Sequence, residues 1–157
     1  MIIRPARPED YVDFSRLYLE VNDLHAATLP ELFQAANVAP FDESEFCRML
    51  ETAGQAVYMA LVDDQAVGFV NVVLREALPL EILAPRLFAV IDSIGVNARF
   101  RQAGIGQALM ARAEQWALEQ GARSVELNVF DFNQGAIAFY KRQGYNDLSR
   151  KMSKRLD

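Results

Sequence analysis

The chain has 157 residues, 52% of them hydrophobic and 24% charged, and carries a formal net charge of −5. This length and composition predict a single folded domain over residues 1–157 and exclude wholesale disorder. The acidic excess argues against nucleic acid as the main partner, because phosphate contacts call for surplus Lys and Arg. The lone cysteine, Cys47, excludes a disulfide framework and a cysteine-rich metal site, and it favours a cytoplasmic protein. We expect no signal peptide and no membrane span.

The first 50 residues predict one strand and two helices. Residues 2–4 form a short strand that ends at Pro5, and a helix follows from Pro8. Apolar residues at helical spacing should face the core, namely Tyr11, Phe14, Leu17, Tyr18, Val21 and Leu24. Asp42 and Glu45 have the spacing of a capping box, which predicts the start of a second helix.

Three strands are predicted next. Residues 56–62 and 66–74 flank a turn at 63–65 and read as a hairpin, in which Gly68 indicates a bulge or a close backbone approach. Residues 75–86 predict a loop or a short helix. The run 87–96 predicts a strand whose one face carries Phe88, Val90, Asp92, Ile94 and Val96.

The remaining chain predicts a strand–helix–strand crossover. A long helix runs from Gly104 to Gln120 and is capped by Gly121, and residues 125–129 form a strand parallel to 87–96. A further helix covers residues 134–142, and one or two closing strands follow from Tyr145. The expected fold is therefore α/β, with a mixed central sheet of six or seven strands and about four flanking helices.

The junction between the strand at 87–96 and the long helix is suited to anions. Helix-start amides have no intrahelical partner and lie at the positive end of the dipole, while glycines let a phosphate approach the backbone. Arg101 adds a fixed positive charge. The same glycines also suit a tight turn without a ligand. A dinucleotide fingerprint fails because Leu109 occupies its third glycine position, and no Walker lysine follows.

Two patterns in this half of the chain resemble the signatures of the GNAT superfamily of acyl-CoA-dependent N-acetyltransferases. The first is a strand ending in valine, here Val96, followed by Arg/Gln-x-x-Gly-x-Gly/Ala at a helix start, here Arg101, Gln102, Ala103, Gly104, Ile105 and Gly106. The second is an asparagine before a helix that bears a tyrosine ahead of a glycine–aromatic pair, here Asn133, Tyr140, Gly144 and Tyr145. Together the two patterns cover about residues 88–145.

The resemblance implies an acetyl-CoA site along this junction. The pyrophosphate would lie on the amides of residues 102–106 beside Arg101, and the pantetheine arm would add to the strand edge at Ile94 and Val96. The Ile94 amide would face the thioester oxygen. Asn133 would bind the arm, which is compatible with a second role as a helix N-cap. No metal is implied.

The resemblance also implies catalytic roles for Tyr140 and Asp92. Tyr140 would protonate the departing thiolate as general acid. Asp92 would be the general base, although it could instead attract a cationic amine or be a structural carboxylate. A covalent acyl-cysteine route is disfavoured, because Cys47 lies far in sequence from both signatures and has no evident histidine partner.

The acceptor is expected to be a primary amine on a small molecule or a peptide. His25, the sole histidine, lies in a segment similar to one on the acceptor side of some relatives, although a lone histidine is more often a satisfied core residue. The alternative to an enzyme is a catalytically silent acyl-CoA-binding sensor or structural module of the same fold. A homodimer is expected through the closing strand around Met152.

Overall fold

A computed structural model describes residues 1–37, 39–78 and 80–156 of the chain. Within these ranges the chain forms five strands and four α-helices. In order they are β1 (Ile2–Pro5), α1 (Tyr11–Thr28), α2 (Glu43–Glu51), β2 (Gln55–Val62), β3 (Gln65–Glu76), β4 (Leu87–Val96), α3 (Ile105–Glu119), β5 (Val125–Leu127) and α4 (Gln134–Arg142). Short 3₁₀ turns at Pro8–Asp10 and Ala98–Phe100 precede α1 and the loop before α3.

The five strands form one mixed sheet in the order β1-β2-β3-β4-β5. The first four strands are antiparallel to their neighbours, and β5 is parallel to β4, as the strand–helix–strand pattern predicts. The turn between β2 and β3 consists of Asp63 and Asp64, both with positive φ, which is the backbone of a tight two-residue hairpin.

The helices cover the two faces of the sheet. On one face α1 and α2 pack a cluster centred on Phe14, Phe46 and Phe69, all fully buried. On the other face α3 buries Ile105, Leu109 and Ala113, and aromatic residues of α4 pack beside it. The apolar spacing of α1 is confirmed except at Leu24, which is exposed, while Ala26 is the buried residue of the last turns.

Local signals in the sequence account for the element ends. The Asp42–Glu45 capping box is present, with Glu45 N donating to Asp42 Oδ1 at 2.8 Å and Asp42 N donating to Glu45 Oε2 at 2.9 Å. Helix α3 ends in a left-handed Gly121, followed by a bond from Ala122 N to Ala117 O at 2.9 Å. Gly68 meets both expectations, since it adjoins a register shift and a Cβ there would lie 2.9 Å from Gly95 O.

Strand β4 has the predicted bounds but not the predicted faces. Its register against β3 shifts, so that Asn71 pairs with Ser93 and Val72 pairs with Ile91, leaving Asp92 as an extra, bulged residue. Ala89 and Ile91 therefore share the α3 face with Ile94 and Val96. Asp92 contacts Asn71 instead, so the prediction that it shares a face with Ile94 and Val96 is wrong.

The predicted closing strands are also absent from the part of the chain that the structure describes. The sheet has five strands rather than six or seven, and residues 143–156 pair with none of them. Leu148, Met152 and Leu156 are 76%, 85% and 85% exposed. Strand β5 is shorter than predicted and ends at Leu127. A strand pattern becomes a strand only where it pairs with an edge, and in the described part of the chain residues 143–156 pair with none of the edges that the sheet offers.

Candidate active site

The C-terminal half of β4 presents an open strand edge. Strand β5 pairs only with Ala89, Val90 and Ile91, whereas β3 accompanies β4 to Val96. From Asp92 to Val96, β4 therefore has no neighbour on its β5 side among the described residues. The bulge at Asp92 directly follows Ile91, the last β4 residue that pairs with β5. The end of the β4–β5 pairing and the change in the direction of the β4 edge therefore coincide.

The bulge also decides which amides face this open edge. The N–H groups of a strand alternate in direction, and Ala89 N donates towards β5, to Ser124 O at 2.9 Å. Beyond the bulge, Asn97 N donates to the β3 side, to Val67 O at 2.8 Å. The extra residue Asp92 has therefore reversed the alternation, and the N–H groups of Ile94 and Val96 are directed to the open edge.

The loop before α3 is an exposed cradle of free amides. Gln102 and Gly104 have φ of 65° and 78°, and Gly104 caps the helix. The first helical bond runs from Ala108 N to Gly104 O at 3.0 Å, so the amides of residues 105–107 have no partner within the helix. The first turn carries no acidic residue, and a Cβ on Gly104 would have nothing within 4 Å. This concave, positively polarised backbone fits a phosphate group.

Arg101 connects the cradle to the open edge. Its Nε donates to Val96 O at 3.1 Å, which uses a carbonyl that β3 leaves unpaired. The guanidinium is exposed and keeps its two terminal nitrogens for other acceptors. Residues 101–106, Ile94 and Val96 thus form one continuous surface, which we call the cradle edge.

Helix α4 contacts the cradle edge through Phe139, the residue before Tyr140. Phe139 packs against the first turn of α3, where a Cβ on Gly106 would lie 3.4 Å from its ring and 3.9 Å from Val96. The Tyr140 ring contacts those of Phe139 and Tyr145, with centroids 5.3 Å and 5.9 Å away. Burial raises the pKa of the Tyr140 phenol, so this group stays protonated at neutral pH.

Beyond the last pair, Ile91 with Leu127, β4 and β5 are no longer hydrogen-bonded, and we call this place the gap between β4 and β5. The loop that follows β5 leads to Asn133, which begins α4. Its Oδ1 accepts a hydrogen bond from Ala136 N at 3.1 Å, so the predicted N-cap is confirmed. The side-chain amide nitrogen is not needed for the cap and remains a possible donor.

Asp92 lies on the opposite face of the sheet from the cradle. Its Oδ2 accepts a hydrogen bond from Asn71 Nδ2 at 3.2 Å, and Asn71 Oδ1 accepts one from Gln55 Nε2 at 3.0 Å. Tyr18 of α1 is near enough that burial first, and the Asp92 charge second, raise the pKa of its phenol. Asp92 itself is exposed.

His25 belongs to an aromatic cluster on this same α1 side. Its ring lies 5.0 Å from Phe33, 5.5 Å from Phe130 and 5.7 Å from Phe132 between centroids. Its Nδ1 is 2.8 Å from Val21 O, and because a carbonyl oxygen only accepts, Nδ1 carries a proton and donates it to this bond. The cluster joins the end of α1 to the loop that leads into Asn133.

The buried amide Asn71 is the feature of this site that the sequence patterns did not single out. A signal exists, because it is the one polar side chain in the apolar run 66–74. A second signal marks the bulge, because Ile91 and Ile94 are three residues apart, whereas residues on one face of a regular strand are two apart.

Cys47 is a free, half-buried cysteine on α2. Within the described ranges, no group of three or more His, Cys, Asp or Glu could hold a metal ion.

Comparisons with known proteins agree on one family. The sequence profile described as Acetyltransferase (GNAT) family matches residues 18–145. A protein of Archaeoglobus fulgidus named "Uncharacterized N-acetyltransferase" is 31% identical over 154 residues, covering 98% of this chain and 96% of that protein. A Methanocaldococcus jannaschii protein named "Uncharacterized N-acetyltransferase MJ1207" is 47% identical over 62 residues, which are 40% of this chain and only 27% of that protein. A Bacillus subtilis relative is matched over 47% of its length.

Solved structures share the fold across the whole chain. A variant of the BH1408 protein from Bacillus halodurans has a TM-score of 0.94 at 24% identity, with 99% of each chain covered. An aminoglycoside N-acetyltransferase, AAC(6')-Iy in complex with CoA, has a TM-score of 0.74 at 18% identity, again with 99% of each chain covered. In the residues that the structure describes, no helix is long and apolar enough to cross a membrane.

Proposed function

Because this chain belongs to the GNAT family of acetyltransferases, we propose that it transfers acetyl from acetyl-CoA to a primary amine of a small molecule or peptide. The reaction is direct attack in a ternary complex. The observation that carries the proposal is the cradle edge, which joins free helix-start amides to an unpaired strand edge. A diphosphate joined to an extended amide-bearing arm is complementary to both parts.

The cradle edge would hold acetyl-CoA as a substrate. Amides of residues 102–106 and the Arg101 guanidinium would bind the diphosphate, and Ile94 and Val96 would pair with the pantetheine arm as an added strand would. The Asn133 amide nitrogen would donate to the arm from the β5 side. In this register the Ile94 N–H faces the thioester oxygen and stabilises the negative charge that develops there.

The sheet separates the two proton-transfer groups. Tyr140 packs on the α3 face with the cradle, whereas Asp92 lies on the α1 face with Tyr18. An amine approaching from the α1 face would attack the carbonyl carbon through the gap between β4 and β5. The new C–N bond forms as the C–S bond breaks, Tyr140 gives its proton to the thiolate, and Asp92 takes the amine proton directly or through a water.

The position of Asp92 on the α1 face favours a role toward the acceptor over one toward CoA. An amine in water keeps its proton up to a pH of about 10, so it must lose that proton before attack. His25 and its aromatic neighbours lie on this same side, and we assign them to the acceptor pocket. The sole, free cysteine supports a cytoplasmic site of action.

The experiment is an assay of free thiol release from acetyl-CoA against a panel of amines, with the acetylated product identified by mass spectrometry. The panel contains polyamines, aminoglycosides, amino acids and peptides with free amino groups. At least one amine should accelerate thiol release above its rate in buffer. Arg101→Glu should abolish this, whereas Arg48→Glu, an equal charge change on α2, should not. If wild-type protein binds acetyl-CoA but none of the amines accelerates thiol release, the chain would instead be a catalytically silent binding module.

A further inference from the structure

Asn71 is a buried polar residue in the middle of an otherwise apolar strand. It is 2% exposed, and its neighbours Phe69, Val70 and Val72 are fully buried. Transferring an amide from water to such a site is unfavourable unless both its ends are hydrogen-bonded. An apolar side chain of the same size would avoid that cost, so the structure keeps an amide here for what it contacts.

The two side-chain hydrogen bonds of Asn71 each have a fixed donor and a fixed acceptor. An ionised carboxylate only accepts hydrogen bonds, so the amide nitrogen of Asn71 must face Asp92. Gln55 Nε2 donates to the oxygen at the other end, at 3.0 Å. A flip of the Asn71 amide would break both bonds, and its orientation is therefore fixed.

Asn71 also lies opposite the bulge that carries Asp92. It pairs with Ser93, and the extra residue Asp92 has no pairing partner on β3. The ladder does not fix the side-chain direction of a bulged residue as firmly as that of a paired one. Asp92 is exposed, so the Asn71 hydrogen bond is its principal restraint. Within the described residues Asp92 Oδ1 receives no hydrogen bond, which leaves it available.

We propose that Asn71 is a positioning residue that holds Asp92 Oδ2 and thereby aims Asp92 Oδ1 at the acceptor amine. Gln55 supports it by fixing the orientation of the Asn71 amide. The inference rests on the proposed function, since it assigns Asp92 to the acceptor side of that reaction. It adds a requirement that the family signatures do not contain, because neither Asn71 nor Gln55 lies in them.

The test is a double-mutant cycle with Asn71→Leu and Asp92→Asn, measured as kcat and KM for a working amine. Loss of a hydrogen bond to a charged group predicts a drop of about 10- to 100-fold in kcat/KM for Asn71→Leu. In the Asp92→Asn background the same change should have no further effect. Whichever of kcat and KM responds to Asp92→Asn should respond to Asn71→Leu. If Asn71→Leu fails to fold, Asn71→Thr takes its place, since threonine suits a strand and is too short to reach Asp92.

Equal losses from Asn71→Leu in both backgrounds would overturn the proposal, because the effect would then not pass through Asp92. Full activity of either Asn71→Leu or Asp92→Asn would overturn it as well. Crystal structures of the wild type and Asn71→Leu give a readout that needs no turnover. The Asp92 carboxylate should occupy one conformation in the wild type and several in the variant, and an unchanged carboxylate would contradict the proposal. Absence of turnover with every amine, beside a displaced carboxylate, would refute the proposed function while still showing that Asn71 restrains Asp92.

Discussion

Gly104→Ala separates the folding role of the cradle from its binding role. Gly104 has φ of 78°, so an alanine there costs about 1–2 kcal/mol of backbone strain. A Cβ at this position meets no protein atom within 4 Å, so no steric cost is added. For a domain of this size, such strain lowers Tm by about 2–8 °C. The methyl group would project into the open side of the cradle, where we place the diphosphate.

Acetyl-CoA affinity should therefore fall in addition to stability. Displacing the diphosphate from one amide removes a charged hydrogen bond worth about 1.5–3 kcal/mol, which corresponds to about a 10- to 100-fold weaker Kd. Calorimetric titration measures this directly. Gly121→Ala is the matched control, because Gly121 has φ of 85° and lies beyond the other end of the same helix, which is about 22 Å long. It should lose similar stability and keep its affinity. Wild-type affinity in a folded Gly104→Ala protein, or equal losses of affinity in both variants, would contradict the placement of the diphosphate beside Gly104.

Three further predictions concern catalysis, stability and assembly. Tyr140→Phe should lower kcat by about 10²–10⁴-fold with little change in acetyl-CoA affinity. Because burial raises the pKa of Tyr140, wild-type kcat should show no loss from its ionisation below about pH 10. Burial pushes the pKa of Asp10 upward, but the Arg4 guanidinium 2.7 Å away and the Arg7 N–H bring it below its usual value on balance. Asp10→Asn should thus lower the free energy of unfolding by about 1–3 kcal/mol at pH 7. Urea titrations should show this difference between variant and wild type vanish as the pH falls through the lowered pKa of Asp10. The exposed apolar residues of the segment 148–156 predict a homodimer, so sedimentation should show a dimer that is lost when residues 147–157 are deleted.

Elements with local signals were predictable from the sequence. The capping box at Asp42 and Glu45 and the left-handed Gly121 each satisfy backbone groups through nearby residues, so a short window of sequence determines them. The loop from Arg101 to Gly106 was also predictable, because its glycines and the following amphipathic helix are contiguous. The likeness of two such patterns to one family gave the fold class.

Features that depend on distant pairing were not predictable in the same way. The face of Asp92 is decided by a bulge against β3, and strict alternation along 87–96 placed it wrongly. The closing strand was predicted from its own residues, whereas a strand forms only if an edge receives it. The Gln55–Asn71–Asp92 chain joins three strands, and no single stretch of sequence contains it.

Whether acetyl-CoA occupies the cradle edge can be seen in a crystal structure of the complex. We expect the diphosphate on the amides of residues 102–106 and the pantetheine arm in the gap between β4 and β5, bonded to the main chain of Ile94 and Val96. The thioester oxygen should face the Ile94 N–H. A diphosphate bound elsewhere, or an arm that leaves this edge of β4 unpaired, would contradict the claim.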